Sequence, residues 1–425
     1  MPRDEWRRHW PVVLAAALGF AFMSIMTPAT GIFMAPLGQA FNWSRTELSA
    51  GITVAALIAM IGSPFVGMLI DRFGSRRVAI PGIVLTMAAV AGFGTANGSF
   101  TLWLLLWGAW GIFSLFIQSN VWSAAVASVF SRGRGLALGI TLAGTAVAQV
   151  LVPPMANWLI AQFGWRLAFV YLSLGWGLVA LIASIFFLFD ARDIHRVGAA
   201  QLSRTRDASI DLPGLSVQQA WRDPQLWKIA ISTVLVLMVT VAISVHQFPI
   251  LVEAGLSRDN AAWLLSLFGI AAVVGKLVTG WLVDRSHGRW VGGVTFILVG
   301  IGYLFLLEPF RSPGVILVAM IVSGYAGGTK MQLCGYLTAR YAGIRNFAAI
   351  FGAMTSAIAL ASGIGPLLAG MIHDYTGSYY GLLLAGVVLP IVSGLLLFTL
   401  GDYPAWTEEQ SEGIAPEAGL EPAHS

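Results

Sequence analysis

The chain has 425 residues, 57% hydrophobic and only 10% charged, with a net charge of +4. An ordinary soluble domain carries roughly 25% charged residues, so this composition excludes a soluble fold and places most of the chain in lipid. The lone cysteine, Cys334, excludes an internal disulfide.

Arg3, Arg7 and Arg8 precede an apolar run over residues 11–36. That run is too long for a cleaved leader and lacks a small-residue cleavage site, so it predicts a first membrane helix. Stretches able to cross a hydrocarbon core of roughly 30 Å follow at 46–70, 78–97, 100–130, 135–163 and 166–189. A second set occupies 228–252, 260–283, 290–307, 313–339, 347–372 and 378–400. The prediction is an all-α membrane protein of twelve transmembrane helices in two pseudo-symmetric six-helix bundles, residues 1–190 and 228–400. The segment 191–227 carries Arg192, Arg196, Arg204, Arg206 and Arg222 among aspartates and reads as a hydrophilic linker. The tail 401–425 is rich in Glu, Pro, Ala and Gly and is expected to be disordered.

The two sets are copies of one unit. Gly62, Gly67, Leu69, Asp71 and Arg72 recur 213 residues later as Gly275, Gly280, Leu282, Asp284 and Arg285. The same offset carries Pro36 to Pro249, Ser44 to Ser257, Arg45 to Arg258, Arg132 to Arg345 and Gly139 to Gly352. Such a long-period repeat outranks local patterns in choosing a fold. It fails where it matters for charge: Ser63 stands where Lys276 stands, and Ile117 where Lys330 stands.

Most of the 24 basic residues fall at the N-terminus, the 2–3, 4–5, 8–9 and 10–11 loops and the linker, leaving only Arg45, Arg166, Arg258 and Arg311 for the opposite face. The positive-inside rule therefore puts both termini, the linker and the tail in the cytoplasm. A multi-pass integral protein of the bacterial inner (plasma) membrane is expected.

Lys276 and Lys330 lie inside predicted spans. An ammonium there costs on the order of 2.5 to 3.5 kcal/mol and normally faces the bundle or a water-filled path. Lys276 shares a helix face with Ala272 and Gly280, and Lys330 with Ala326, Gly327 and Cys334, small residues that turn toward neighbouring helices. The alternatives are that Lys276 snorkels toward the cytoplasm and that Lys330 bonds carbonyls near Gly324, Gly327 and Gly328. All 20 acidic residues fall in loops, tails or helix ends, Glu47, Glu253, Glu308 and Asp374 lying nearest the membrane. Two buried cations without a buried acid favour an anionic cargo. His246 is the candidate proton carrier, or a packing histidine. Gln118, Asn120, Gln149, Tyr325, Gln332 and Tyr336 are candidate cavity hydrogen-bonders, or glue between helices.

No convergent catalytic set, metal spacing, phosphate-binding loop or heme motif appears, which disfavours an enzyme, and the linker and tail are too short for a sensor's signalling domain. No metal, cofactor or nucleic-acid partner is expected. The expected partners are the lipid bilayer and a small-molecule anion, with protons or a counter-anion for coupling, acting on a monomer.

Gly67, Asp71, Arg72, Gly74, Arg76 and Arg77, with the partly decayed copy Gly280, Asp284, Arg285, Gly288 and Arg289, resemble the signature of the major facilitator superfamily. These residues read as a structural or gating latch, too near the cytoplasm to hold cargo. Phe130, Arg132, Arg134, Leu136, Ala137, Gly139, Ala143 and Gly144 resemble a monocarboxylate transporter signature, from which Gly133 and Thr141 depart. That family's second signature, before helix 1, is absent, and Trp43, Ser44 and Arg45 instead resemble the bacterial oxalate/formate antiporter branch. The resemblance implies that Lys276, four residues before Gly280, takes the place of an arginine that pairs with substrate carboxylate. Where the family has an aspartate one turn earlier, this chain has Ala272, so proton symport by that pair is not implied.

The expected function is secondary active transport of small organic anions, foremost monocarboxylates, by alternating access. Efflux of hydrophobic or drug-like compounds is the alternative. It fits less well, because cation exporters use a buried acid and their Gly-Pro signature in helix 5 is replaced by Val152, Pro153 and Pro154. Larger anionic solutes, such as aromatic acids or peptides, stay open.

Overall fold

The computed structural model describes residues 2–130, 134–189, 214–283, 285–343 and 345–404, without the side chains of residues 2–5, 64, 71, 134, 135, 309 and 348. Arg132, Asp284, the centre of the linker and the tail beyond residue 404 therefore lie outside the described residues, as do the side chains of Asp71 and Arg134.

The described residues are helical, apart from 3-10 turns and one isolated bridge between Gly214 and Gly343. The helices are α1 (Pro2–Ser24), α2 (Met26–Phe41), α3 (Arg45–Phe73), α4 (Ser75–Gly92), α5 (Phe100–Ser114), α6 (Ser119–Val129) and α7 (Arg134–Phe187). After the linker come α8 (Val217–Ala220), α9 (Pro224–Glu253), α10 (Arg258–Val283), α11 (Gly288–Leu304), α12 (Pro313–Gly327), α13 (Lys330–Ala342), α14 (Phe347–Thr376) and α15 (Tyr380–Phe398). Among them are 10 stretches long and apolar enough to cross a membrane. A helix satisfies every backbone group internally, which is why a chain this apolar adopts it.

Local chemistry sets the ends. Ser44 and Glu47 form a capping box that starts α3. Asp223 caps α9 just before Pro224, and Ser312 caps α12 just before Pro313. Gly164, at φ 74° and ψ 163°, interrupts α7, a backbone that side-chain-bearing residues rarely adopt.

The structure differs from the expected spans in three places. Span 1 is two helices, α1 and α2, and the second runs past Pro36 to Phe41. Spans 4 and 10 are each broken in mid-course, into α5 and α6 and into α12 and α13. Apolar periodicity is blind to such breaks, because the few polar residues at them, such as Gln118 and Asn120 or Thr329 and Lys330, do not end an apolar run of this length.

The linker face carries the end of α3, the start of α9 and Trp221, and the far face carries the turns around Trp43, Gly164, Gly255 and Gly377. On the far face the two sets of helices interlock. The start of α3 lies against Gly370 of α14, and Gly31 of α2 seats directly on the Val245 carbonyl of α9, with no room for a side chain. Thr53 Oγ1 donates to the Gly363 carbonyl at 2.7 Å, and Ser266 Oγ to the Val150 carbonyl at 2.5 Å. Toward the linker face the described residues pack less closely. Nothing lies within 4 Å of where a side chain would start at Gly67, Gly139 or Gly352, and Met68 and Leu136 are 59% and 64% exposed. Among the described residues the two sets of helices interlock at the far face, while Gly67, Gly139 and Gly352 stand open toward the linker face.

Candidate functional site

The breaks in spans 4 and 10 are equivalent under the internal repeat: Leu115–Ile117 maps onto residues 328–330. Interrupted helices near mid-membrane are tolerated where they line a cavity, and their free helix ends can meet ions or polar groups.

In the first break a 3-10 turn, Leu115–Ile117, leads to Gln118, which is extended at φ −69° and ψ 169°. Its polar groups are satisfied locally. Ser63 Oγ shares its one hydrogen between the Ala59 carbonyl at 2.6 Å and Gln118 Oε1 at 2.9 Å, and Trp122 Nε1 donates to the Ile117 carbonyl at 2.7 Å. Asn120 Oδ1 accepts from the Val121 amide at 3.0 Å.

The second break is not satisfied in the same way. Thr329 precedes α13, but its hydroxyl turns back to the Ala326 carbonyl at 3.0 Å and makes no cap. Lys330 is the first residue of α13, only 6% exposed. It is the one buried Lys, Arg, Asp or Glu among the described residues. Its Nζ borders Gly327 beside the Phe268 ring, and no hydrogen bond or ion pair joins it to another described residue. The ammonium and the positive end of the α13 dipole thus occupy one place.

Lys276 lies on the neighbouring helix, half-buried. Four residues before it the Ala272 carbonyl abuts Gly328, and four residues after it Gly280 abuts Gln332 Nε2. Residues four apart share a helix face, so Lys276 lies on the side of α10 that carries the Ala272 and Gly280 approaches to the 328–332 segment. The repeat points the same way: Ser63, its counterpart, bonds the counterpart break at Gln118. Lys276 also has no hydrogen bond or ion pair to a described residue.

The other candidates divide. Tyr336 lies nearer the linker face, donating to the Val283 carbonyl at 3.3 Å and accepting from Arg340 Nε at 3.1 Å. Gln149 packs its side chain against Gly269 between α7 and α10, and the Tyr325 carbonyl seats on Gly275. Gln332 is exposed beside Gly280.

His246 is away from both breaks, fully buried where the far face closes. Its Nε2 is 3.0 Å from the Pro366 carbonyl and 3.1 Å from Ser49 Oγ, and its Nδ1 is 2.9 Å from the Tyr379 hydroxyl. Burial pushes the Tyr379 phenol above its ordinary pKa, so it stays protonated. Beside this group the Asp374 carboxylate accepts from Arg45 N at 3.0 Å and from Thr46 N at 2.8 Å. It thereby caps α3 from the other half of the chain. Asp374 and Tyr379 carry no motif, and only folding brings them to residues more than 100 positions away.

In the signature loop, Arg76 donates to the Ile185 carbonyl at 2.6 Å and lies over the Phe189 ring. Arg72 and Arg285 are exposed, stacked over Phe73 and Trp281 respectively.

The comparisons with known proteins agree with this architecture. The model of the Major Facilitator Superfamily matches residues 13–257 and 240–423. The chain is similar to monocarboxylate transporter 13 of Bos taurus, 25% identical over 404 residues, covering 93% of this chain and 90% of that protein. It is also similar to monocarboxylate transporter 12 of Mus musculus, 26% identical, covering 85% and 73%. Among solved structures, the inward-open xylose transporter of E. coli superposes with TM-score 0.74 at 13% identity, covering 94% of this chain and 99% of that one. A bacterial homologue of the human lysosomal transporter Spinster, inward-facing and unoccupied, gives 0.72 at 17% identity, covering 91% and 95%. At such identities the structural likeness speaks for the fold. The matched family model spans nearly the whole chain, which is therefore a multi-pass membrane transporter belonging to the Major Facilitator Superfamily.

Proposed function

We propose that this protein carries small organic anions, foremost monocarboxylates, by alternating access of its two halves. The observation that carries this reading is the buried Lys330 at the break between α12 and α13, with Lys276 on the adjacent helix and no buried acidic side chain among the described residues. An unpaired buried ammonium is costly, and a bound carboxylate would relieve that cost by charge-assisted hydrogen bonds. Drug efflux receives no comparable support, since no buried acid faces these lysines among the described residues.

In this reading the chain crosses the bilayer twelve times. The interruption of α7 at Gly164 separates two crossings, and α11, shorter than the other spans, supplies another. Residues 1–190 and 228–400 act as the two rocking bundles, joined by the 191–227 linker and followed by the tail 401–425. With the basic loops and both termini cytoplasmic, the looser packing at the linker face supports an inward-open reading of the described conformation. His246, at the closed face, is the proton-coupling candidate, and the signature residues Gly67, Asp71, Arg72, Arg76, Gly280, Asp284 and Arg285 belong to the inner gate.

Purified protein in liposomes, offered labelled formate, lactate, pyruvate and oxalate with and without a pH gradient, tests the reading. Saturable uptake that falls in Lys276→Ala and Lys330→Ala is expected. Uptake of none of these anions, or uptake indifferent to both substitutions, would end it.

A further inference from the structure

The far-face closure holds a second ionisable device besides the two lysines. Its centre is His246, and the tautomer is set by its partners. The Pro366 carbonyl, 3.0 Å from Nε2, can only accept, so Nε2 carries the hydrogen. Nδ1 is then the basic nitrogen, and it accepts from the Tyr379 hydroxyl at 2.9 Å. Tyr379 in turn lines a far-face cavity of about 350 Å³, together with Glu253, Glu308, Arg311 and His373. The one free lone pair of a fully buried imidazole is therefore a single hydroxyl away from a polar cavity.

The same imidazole ties three elements together. Ser49 belongs to α3, Pro366 to α14, and Tyr379 to the turn between α14 and α15. The bond to Ser49 joins the two halves of the chain. The charged groups facing this site are Arg45 at the start of α3, Glu253 at the end of α9, and His373 and Asp374 at the end of α14. Glu253 is committed to Arg45 at 3.8 Å and to His373 at 3.2 Å, and Asp374 to the start of α3. No carboxylate touches the His246 ring among the described residues. An imidazolium formed there would be buried and unpaired, a costly arrangement that opening to water relieves.

We propose that His246 is a proton-binding site that latches the far face shut when neutral and releases it when protonated, reached from the far-face cavity through Tyr379. In the loading step the Tyr379 hydroxyl passes its proton to Nδ1 while its oxygen takes one from a hydronium ion in the cavity. An imidazolium, an intact phenol and a water remain. Because the proton binds the open form better, lowering the pH shifts the population toward opening. The link of this latch to anion transport rests on the coupling role proposed above, but the latch itself is measurable without a substrate.

Spin labels at Gln162→Cys and Tyr375→Cys, both exposed on the far face, in a Cys334→Ser background, report opening as an inter-label distance distribution. Between about pH 8 and about pH 5 the long-distance population is expected to rise at least about threefold. His246→Gln should abolish that rise, while His373→Gln keeps it. Tyr379→Phe removes a donor to neutral Nδ1 without disturbing a helix, and should move the midpoint to higher pH. A pH response that survives His246→Gln, that vanishes in His373→Gln, or whose midpoint is unmoved in Tyr379→Phe overturns the latch. Failure of anion uptake with an intact pH response would overturn the transport reading alone.

Discussion

The two halves of this chain break the same helix at the same place and finish the break differently. In the first half the exposed backbone and side chains are neutral and answered nearby, Ser63 by Gln118 and the Ile117 carbonyl by Trp122. In the second half the equivalent positions hold Lys276 and Lys330, which no described residue answers. A repeat keeps geometry because both copies must pack alike. Chemistry is free to diverge between them, and in the proposed function a carboxylate rather than the protein satisfies one copy. The first break is neutral and bonded within the protein, and the second is where the proposed site lies.

The sharpest way to break this contrast is to charge the neutral copy. Ile117 is fully buried, so Ile117→Lys should destabilise the protein by on the order of 3 kcal/mol, read as a large drop in the thermal midpoint of detergent-solubilised protein. A variant as stable as the parent would mean that the first break also offers a wet or anionic setting, and the distinction between the halves would collapse.

Neutralising the charged copy should have the opposite sign for stability. Lys330→Met is expected to raise the thermal midpoint while lowering carboxylate uptake by about 30-fold, near 2 kcal/mol, as for loss of a desolvated charge contact. Loss of both stability and uptake would indicate that Lys330 is held by the protein rather than by its cargo.

Lys276 is less buried and should matter less. Lys276→Ala should reduce uptake about tenfold, or 1.4 kcal/mol, and Lys276→Arg should restore most of it, since the cation returns with a fork suited to carboxylate. Equal uptake in all three proteins would assign the lysine to the membrane surface instead.

The smallest effect belongs to the neutral pair. Ser63→Ala removes one hydrogen bond and should cost about 1 kcal/mol of stability with little change in uptake. A tenfold loss of uptake in that variant would place cargo in the first break as well.

Much of this was readable before any folding was considered. Low charge content, apolar runs and the recurring Gly, Asp and Arg positions led to a helical, duplicated transporter, because lipid leaves few choices of backbone and a repeat is visible letter by letter. Lys276 and Lys330 stood out because an ammonium in an apolar run is costly wherever it lies. The breaks were not readable: Gln118 and Thr329 sit among residues that could continue a helix. Nor was the far-face cluster, since Asp374, Tyr379, Ser49 and His246 lie on separate elements and meet only through packing.

The amino-acid order alone thus determined the solvent, the helical content, the internal repeat and the identity of the unmatched charges. These follow from side-chain chemistry and spacing, which survive in one dimension. The tertiary structure decided that one lysine begins a helix at a break while the other lies on the adjacent helix, and that His246 bonds residues of both halves at the far face. Those facts depend on which helix ends and carbonyls approach each other across hundreds of residues, and no local pattern encodes that distance.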